Sequence, residues 1–162
     1  MISINKWMMG INIVLCLIVF IPIAQGEQTY DITDCWSGIL TMNSESRDLT
    51  IMSFEFTGIT RSNLENKIFD NCTVFYVGIA RITPDKTTAD GYTKYMDPDG
   101  DFVVMESVRE GEVTTMTFLQ GTGKWKGIKG GGKLRRTTTG KPIVSGTLQG
   151  CSRHIGTFEL PK

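Results

Sequence analysis

The chain is poor in the residues on which catalysts and nucleic-acid binders most often rely. Its 162 residues include one histidine, His154, and 17 basic residues are balanced by 17 acidic ones. A phosphate backbone is held by a surplus of Lys and Arg on one face. The only dense basic stretch, Lys124 to Arg136, reads as the solvated rim of a turn and strand, so nucleic acid is not an expected partner. Zinc needs closely spaced Cys or His ligands, whereas the thiols here are far apart and His154 follows Cys151 by three residues. The same spacing defeats a Cys151/His154 nucleophile and base, because residues three apart on a strand point to opposite faces. Ser, His and Asp all occur, but no nucleophile elbow frames a serine. No metal or cofactor is expected.

Long apolar runs are equally scarce. The one present, Ile11 to Ile23, is about 13 residues long, whereas a helix needs about 20 to cross a bilayer. Lys6 precedes it and the small residues Ala24 and Gly26 follow, which is the layout of a secretory signal. The expected division is therefore a signal peptide over 1–26, cut after Gly26, and one domain over 27–162. A lipid anchor at Cys16 is disfavoured, because Leu15 stands where lipoprotein processing wants a small residue. The expected product is secreted or periplasmic, with no permanent membrane span. Without Lys6 it carries 16 basic and 17 acidic residues, a net charge near −1.

An exported chain meets an oxidising compartment in which a disulfide persists. Cys35, Cys72 and Cys151 are the candidates, an odd number. Cys35 and Cys72 open the first and third expected strands and can meet at one end of the domain; Cys72 with Cys151 is the alternative. Asn71-Cys72-Thr73 also fits a glycosylation acceptor, with which a bond at Cys72 would compete.

What the chain does have is short strands at regular spacing, with no helix-length stretch of 3.6-residue period. The expected strands are 35–42, 49–57, 73–81, 91–96, 102–108, 113–120, 131–138, 143–149 and 154–160. In the second, Met52, Phe54 and Phe56 share one face and Ser53, Glu55 and Thr57 the other, so one side is wet. The third is apolar on both faces, which asks for cover by a loop, a neighbouring subunit or the segment Ile59 to Asp70. Ser62-Asn63-Leu64-Glu65 in that segment can start a short helix through an N-cap. Asp97-Pro98-Asp99-Gly100 and Arg109-Glu110-Gly111 place Pro and Gly where tight reversals need them. Asp97, Asp99 and Asp101 resemble the start of a calcium loop, but Phe102 replaces its glycine and Val108 its closing Glu, so a hairpin turn is the expectation. The fold expected is all-β, a single antiparallel, calycin-like barrel of eight or nine strands, because closure removes the edges an exported sheet must otherwise protect.

The glycines of Gly121-Thr-Gly-Lys-Trp-Lys-Gly-Ile-Lys-Gly-Gly-Gly do not make a phosphate loop, because the spacing is wrong and a strand follows instead of a helix. The segment from Phe118 through Gly132 instead resembles the dirigent and allene oxide cyclase-type barrels and the C-terminal half of several small exported bacterial proteins. A later glycine-bearing strand pair, Ser145-Gly146-Thr147 and Gly156-Thr157-Phe158-Glu159-Leu160, ends the chain in the same way. The resemblance implies an eight-stranded barrel with an apolar cavity open at one end, and frequent homo-oligomerisation. No family catalytic residue maps onto this chain.

Polar groups that can project into such a pocket are therefore sought strand by strand. Glu106 shares a face with Phe102, Val104 and Val108, and among apolar neighbours its carboxyl would act as an acid or base. The competing and more ordinary register puts Val103, Met105 and Ser107 inside and Glu106 in solvent. Arg135 and Arg136 lie on opposite faces of one strand, so one of them faces inward. Tyr76, Tyr92 and Tyr95 supply hydroxyls, and Glu106, Arg135, Tyr76 and Tyr95 form the candidate ligand set. Trp36 and Trp125 read as packing residues, since no regular aromatic series accompanies them. Three functions are consistent with this pattern: a barrel binding a small apolar or amphipathic ligand, an isomerase or cyclase using the same cavity, and a filled barrel serving as an interaction module.

Overall fold

Alternation in the first strand sets the architecture. In β1 (Gln28–Glu45), Tyr30, Ile32, Asp34 and Trp36 are buried, while Thr33 and Cys35 between them and Ser37 after them point outward. The computed structural model describes residues 26–161. The expected signal peptide, except for its last residue, lies outside the described residues. After β1 come β2 (Thr50–Ser62), β3 (Thr73–Ile82), β4 (Thr87–Met96), β5 (Phe102–Glu110), β6 (Val113–Gly121), β7 (Lys129–Gly140) and β8 (Thr147–Glu159), with one 3-10 turn at Gly123–Trp125. Each strand pairs antiparallel with the next and β8 pairs antiparallel with β1, closing an eight-stranded barrel.

The all-β barrel is as expected, with three local differences. The two last expected strands are one continuous strand, β8, and Ile143 and Val144 sit exposed in the connection before it. Expected strand one begins earlier, at Gln28 rather than Cys35. No helix forms at Ser62–Glu65; the segment makes turns, with Lys67, Phe69 and Asn71 in the left-handed region. Those turns carry Phe69 into the barrel, where it is 4% exposed. Burying the ring there takes precedence over a helix that Asn66 and Asp70 already weaken.

The segment therefore plugs one end and does not cover β3 from outside. The outward side chains of β3, Phe75, Val77 and Ile79, remain exposed. The plugged end combines Phe69 with Trp125 and Ile128 from the β6–β7 connection and with Tyr30, Phe118 and Phe158 from the strands. Trp125 packs 4.7 Å from Phe69 between ring centroids, and its indole Nε1 donates to Asp97 Oδ2 at 2.9 Å. Asp97 Oδ1 also accepts the backbone N–H groups of Asp99 and Asp101, while Lys124 pairs with Asp97 and Asp99. The three aspartates are thus a hairpin turn tied to the β6–β7 connection. The glycine-rich start of β7 has a steric reason. Gly132 and Gly156 face each other across β7 and β8, and a Cβ on either would lie 2.6 or 2.5 Å from the Tyr30 hydroxyl.

The disulfide joins Cys35 to Cys151, neither of the two pairings weighed from the expected strand starts. Barrel closure places these two residues directly opposite each other on β1 and β8, both pointing outward. Cys72 points into the core at 1% exposure, out of reach of either.

Candidate functional site

The barrel's two ends differ. The end bearing the β2–β3, β4–β5 and β6–β7 connections is packed solid, whereas the end bearing the β1–β2, β3–β4, β5–β6 and β7–β8 turns encloses a cavity of about 240 Å³. Its walls come from inward positions of the alternating strands, among them Leu40, Met52, Phe54, Phe56, Ala80 and Met116. Small residues opposite these rings keep the space open: Gly78 and Gly91 face each other across β3 and β4, and Ala89 follows. The floor is polar, with the hydroxyls of Tyr76, Thr93, Ser107 and Ser152. Trp36 packs tilted against Phe56, donates its indole N–H to Ser152 Oγ at 3.1 Å, and forms part of the wall.

Beneath that floor lies a polar cluster that is fully buried except at Tyr76. Tyr76 and Tyr95 both donate their hydroxyl protons to Asp34 Oδ2, Tyr95 at 2.8 Å. Because the Tyr95 proton is committed to Asp34, the phenol oxygen accepts from His154 Nδ1 at 3.3 Å. His154 Nε2, left as an acceptor, then receives the Tyr30 hydroxyl proton at 2.9 Å. The network thus specifies a neutral histidine protonated on Nδ1. Asp34 Oδ1 is buried with no hydrogen-bond partner among the described residues.

Burial dominates the electrostatics. Removal from water pushes the Asp34 carboxyl up to about 6, against the opposing effect of the two tyrosine hydrogen bonds. Burial holds His154 down to about 3. Tyr76 and Tyr95 are raised well above the ordinary phenol value, first by burial and then by the charge of Asp34. Burial also pushes the Cys72 thiol up to about 12, far from the range of a nucleophilic cysteine.

Of the residues singled out from sequence, Tyr76 lines the cavity and Tyr95 stands in the buried cluster. Glu106 and Arg135 do not join them: both are exposed on the outer face, because Val103, Met105 and Ser107 take the inward positions of β5, and Leu134 and Arg136 those of β7. Tyr92 is paired with Glu106 across β4 and β5 and is also largely exposed, at 54%. Asp34 was not among the expected site residues, and His154, weighed only as a metal ligand or catalytic base, was not expected beside the tyrosines. Placing the first strand's start at Cys35 left Asp34 outside any strand. An acidic residue in register with Tyr30, Ile32 and Trp36 was the available signal.

The fold has solved counterparts. A pterocarpan synthase dirigent protein superposes with a TM-score of 0.52 at 11% identity, covering 84% of this chain and 87% of that one. A second pterocarpan synthase dirigent protein gives 0.48 at 8% identity, covering 86% and 99%. A pyocyanin demethylase gives 0.45 at 13%, covering 81% and 99%. No protein-family model matches the chain, and comparison with curated proteins finds no match. On the first of these structural likenesses, the chain folds as a dirigent-like barrel.

Proposed function

We propose that this protein is an exported barrel that binds a small apolar or amphipathic molecule in the open half of its interior. The observation that carries the reading is the cavity of about 240 Å³, walled by aromatic and aliphatic side chains and floored by hydroxyls. Apolar walls with a few convergent polar groups are what small-molecule sites commonly present. A fully filled barrel, the interaction-module reading, is less well supported, because its solid packing is confined to the plugged end. Export fits the Cys35–Cys151 disulfide, which persists in an oxidising compartment. Among the described residues no helix is long and apolar enough to cross a membrane. The exposed apolar outer face of β3, with Phe75, Val77 and Ile79, supports homo-oligomerisation as the way that face is covered.

A second reading, an isomerase or cyclase acting in the same cavity, is favoured by one feature. The Tyr76 hydroxyl lines the cavity and is bonded to Asp34, whose carboxyl is pushed up to about 6. With Asp34 as the acceptor, such a pair can act as a base: the Tyr76 oxygen takes a proton from a bound molecule while the Tyr76 hydroxyl proton passes to the Asp34 carboxylate.

Native mass spectrometry of the mature protein, purified from the compartment to which it is exported, tests both. A small molecule released only on denaturation is the expected result, and the same spectrum reads the subunit number. Returning the released molecule to fresh protein separates the readings, since an isomer of unchanged mass signals catalysis and unaltered recovery signals binding. A bare mass in repeated preparations, with no uptake of added apolar molecules, would reject the cavity reading.

A further inference from the structure

The mouth of the cavity carries the only charged side chains among its lining residues: Arg109, Arg136 and Glu112. The arginines are inward by strand alternation, Arg109 following Ser107 on β5 and Arg136 following Leu134 on β7. Neither is in an ion pair among the described residues. The Arg136 guanidinium carbon lies 5.2 Å from the centre of the Trp36 ring, which fixes the group against the cavity wall without neutralising it. Arg109 is aimed by a 2.7 Å hydrogen bond from its Nε to the Gly111 carbonyl, which leaves its terminal nitrogens free to donate. Partial burial, then the nearby charge of Arg109, lowers the affinity of Arg136 for its proton, with the exposed Glu112 acting in the opposite sense. Two cations and one carboxylate leave the rim positive, in a chain whose overall charge is balanced.

From this arrangement we infer that the rim is an anion site, so that the cavity takes an amphipathic molecule with an apolar body and a carboxylate-like group at one end. The inference rests on the ligand-binding reading above and names the ligand's chemistry. The apolar body lies between Phe54, Phe56 and Met116, and the anionic group meets the guanidinium donors of Arg136 and Arg109. A guanidinium suits this role because its planar donors match two carboxylate oxygens at once and it keeps its charge. A neutral molecule of the same shape would cover these donors and leave them without an acceptor, losing the water that otherwise solvates them. The floor cannot serve an anion in the same way, because Asp34 lies just beneath it.

The test uses two flat molecules of nearly the same shape, 2-naphthoate and its neutral counterpart 2-acetylnaphthalene, titrated calorimetrically into the mature protein at pH 7.5 and low salt. The naphthoate is expected to bind at least about tenfold more tightly, as a charge-assisted hydrogen-bonded pair requires. In Arg136→Gln the preference is expected to fall towards unity through weaker binding of the naphthoate, with an unchanged circular dichroism spectrum certifying the fold. Arg109→Gln is expected to lose part of it. Equal binding of the two molecules by the unaltered protein, or a preference that survives in the double variant, would overturn the anion site while leaving the cavity reading standing. Failure of both molecules to bind overturns the anion site, and if added apolar molecules also fail to enter, the cavity reading falls with it.

Discussion

Burial shifts Asp34 and His154 each towards its uncharged form, and the two act on stability with opposite signs. The Asp34 carboxyl is pushed up to about 6 in the folded chain, above its ordinary unfolded value, so the folded state takes up its proton first. Its contribution favours folding below pH 4 and is lost as pH rises through 6. His154 is held down to about 3, so the unfolded chain takes up its proton first, and the histidine's contribution is lost as pH falls from about 6.5 towards 3. In the unaltered protein the two trends offset each other between about pH 4 and 6. Asp34→Asn removes one of them. Urea unfolding at pH 7 and pH 4.5 is expected to show the variant losing more stability on acidification than the parent, by about 2 kcal/mol. A parallel pH dependence of the two proteins would mean that Asp34 is not protonated on folding. The register of Asp34 with Tyr30, Ile32 and Trp36 marks it as inward, but nothing local marks its partner. What gives the pair its chemistry is the closing of β1 against β8, which brings residues 34 and 154 to one layer of the barrel, and no local pattern encodes that meeting.

At the scale of the element, alternation and turn chemistry were legible and strand ends were not. Met52, Phe54 and Phe56 face inward as their period of two requires, and the Asp97–Gly100 reversal sits between β4 and β5. The inward face of β7 was harder to read, because Gly130, Gly131 and Gly132 offer no apolar alternation and only Leu134 marks the inside. Nothing in the sequence therefore separates Arg135 from Arg136 as the inward residue. The disulfide was illegible for a related reason: pairing Cys35 with Cys151 requires knowing that the first and last strands are neighbours. That closure defines what the bond does. It staples β1 to β8 across a sequence separation of 116 residues, and in the unfolded chain it removes the freedom of a loop of that length. Replacing both Cys35 and Cys151 by Ala is expected to lower unfolding free energy by about 2–5 kcal/mol. Denaturant titration of the double variant, beside the parent with and without reductant, checks this. An unchanged midpoint would show that the β1–β8 ladder holds the seam unaided.

For the whole molecule, the division of the barrel into a solid half and an open half sets the relation between stability and binding. The plug formed by Phe69, Trp125 and Phe158 holds one end together through aromatic packing, so the other end can remain unfilled. An occupant of the open half touches side chains from strands all round the barrel and binds only the folded chain. It must therefore stabilise the barrel, by about 2.7 kcal/mol at a hundredfold excess over its dissociation constant. Ala89 lies on the cavity wall in β4, where a larger side chain can enter empty space without displacing the plug. Ala89→Trp is expected to reproduce part of that stabilisation by filling the cavity with its own ring, and to abolish the rise in melting temperature produced by an added apolar molecule. Melting curves of both proteins with and without the same apolar probe measure the two effects together. If the variant still gains stability from the probe as the parent does, the molecule binds elsewhere, and the exposed face of β3 becomes the surface to examine. If the variant melts lower and the probe effect is lost, the wall at Ala89 is too rigid to admit the ring, and the cavity is a fixed shape that selects its ligand instead of adapting to it.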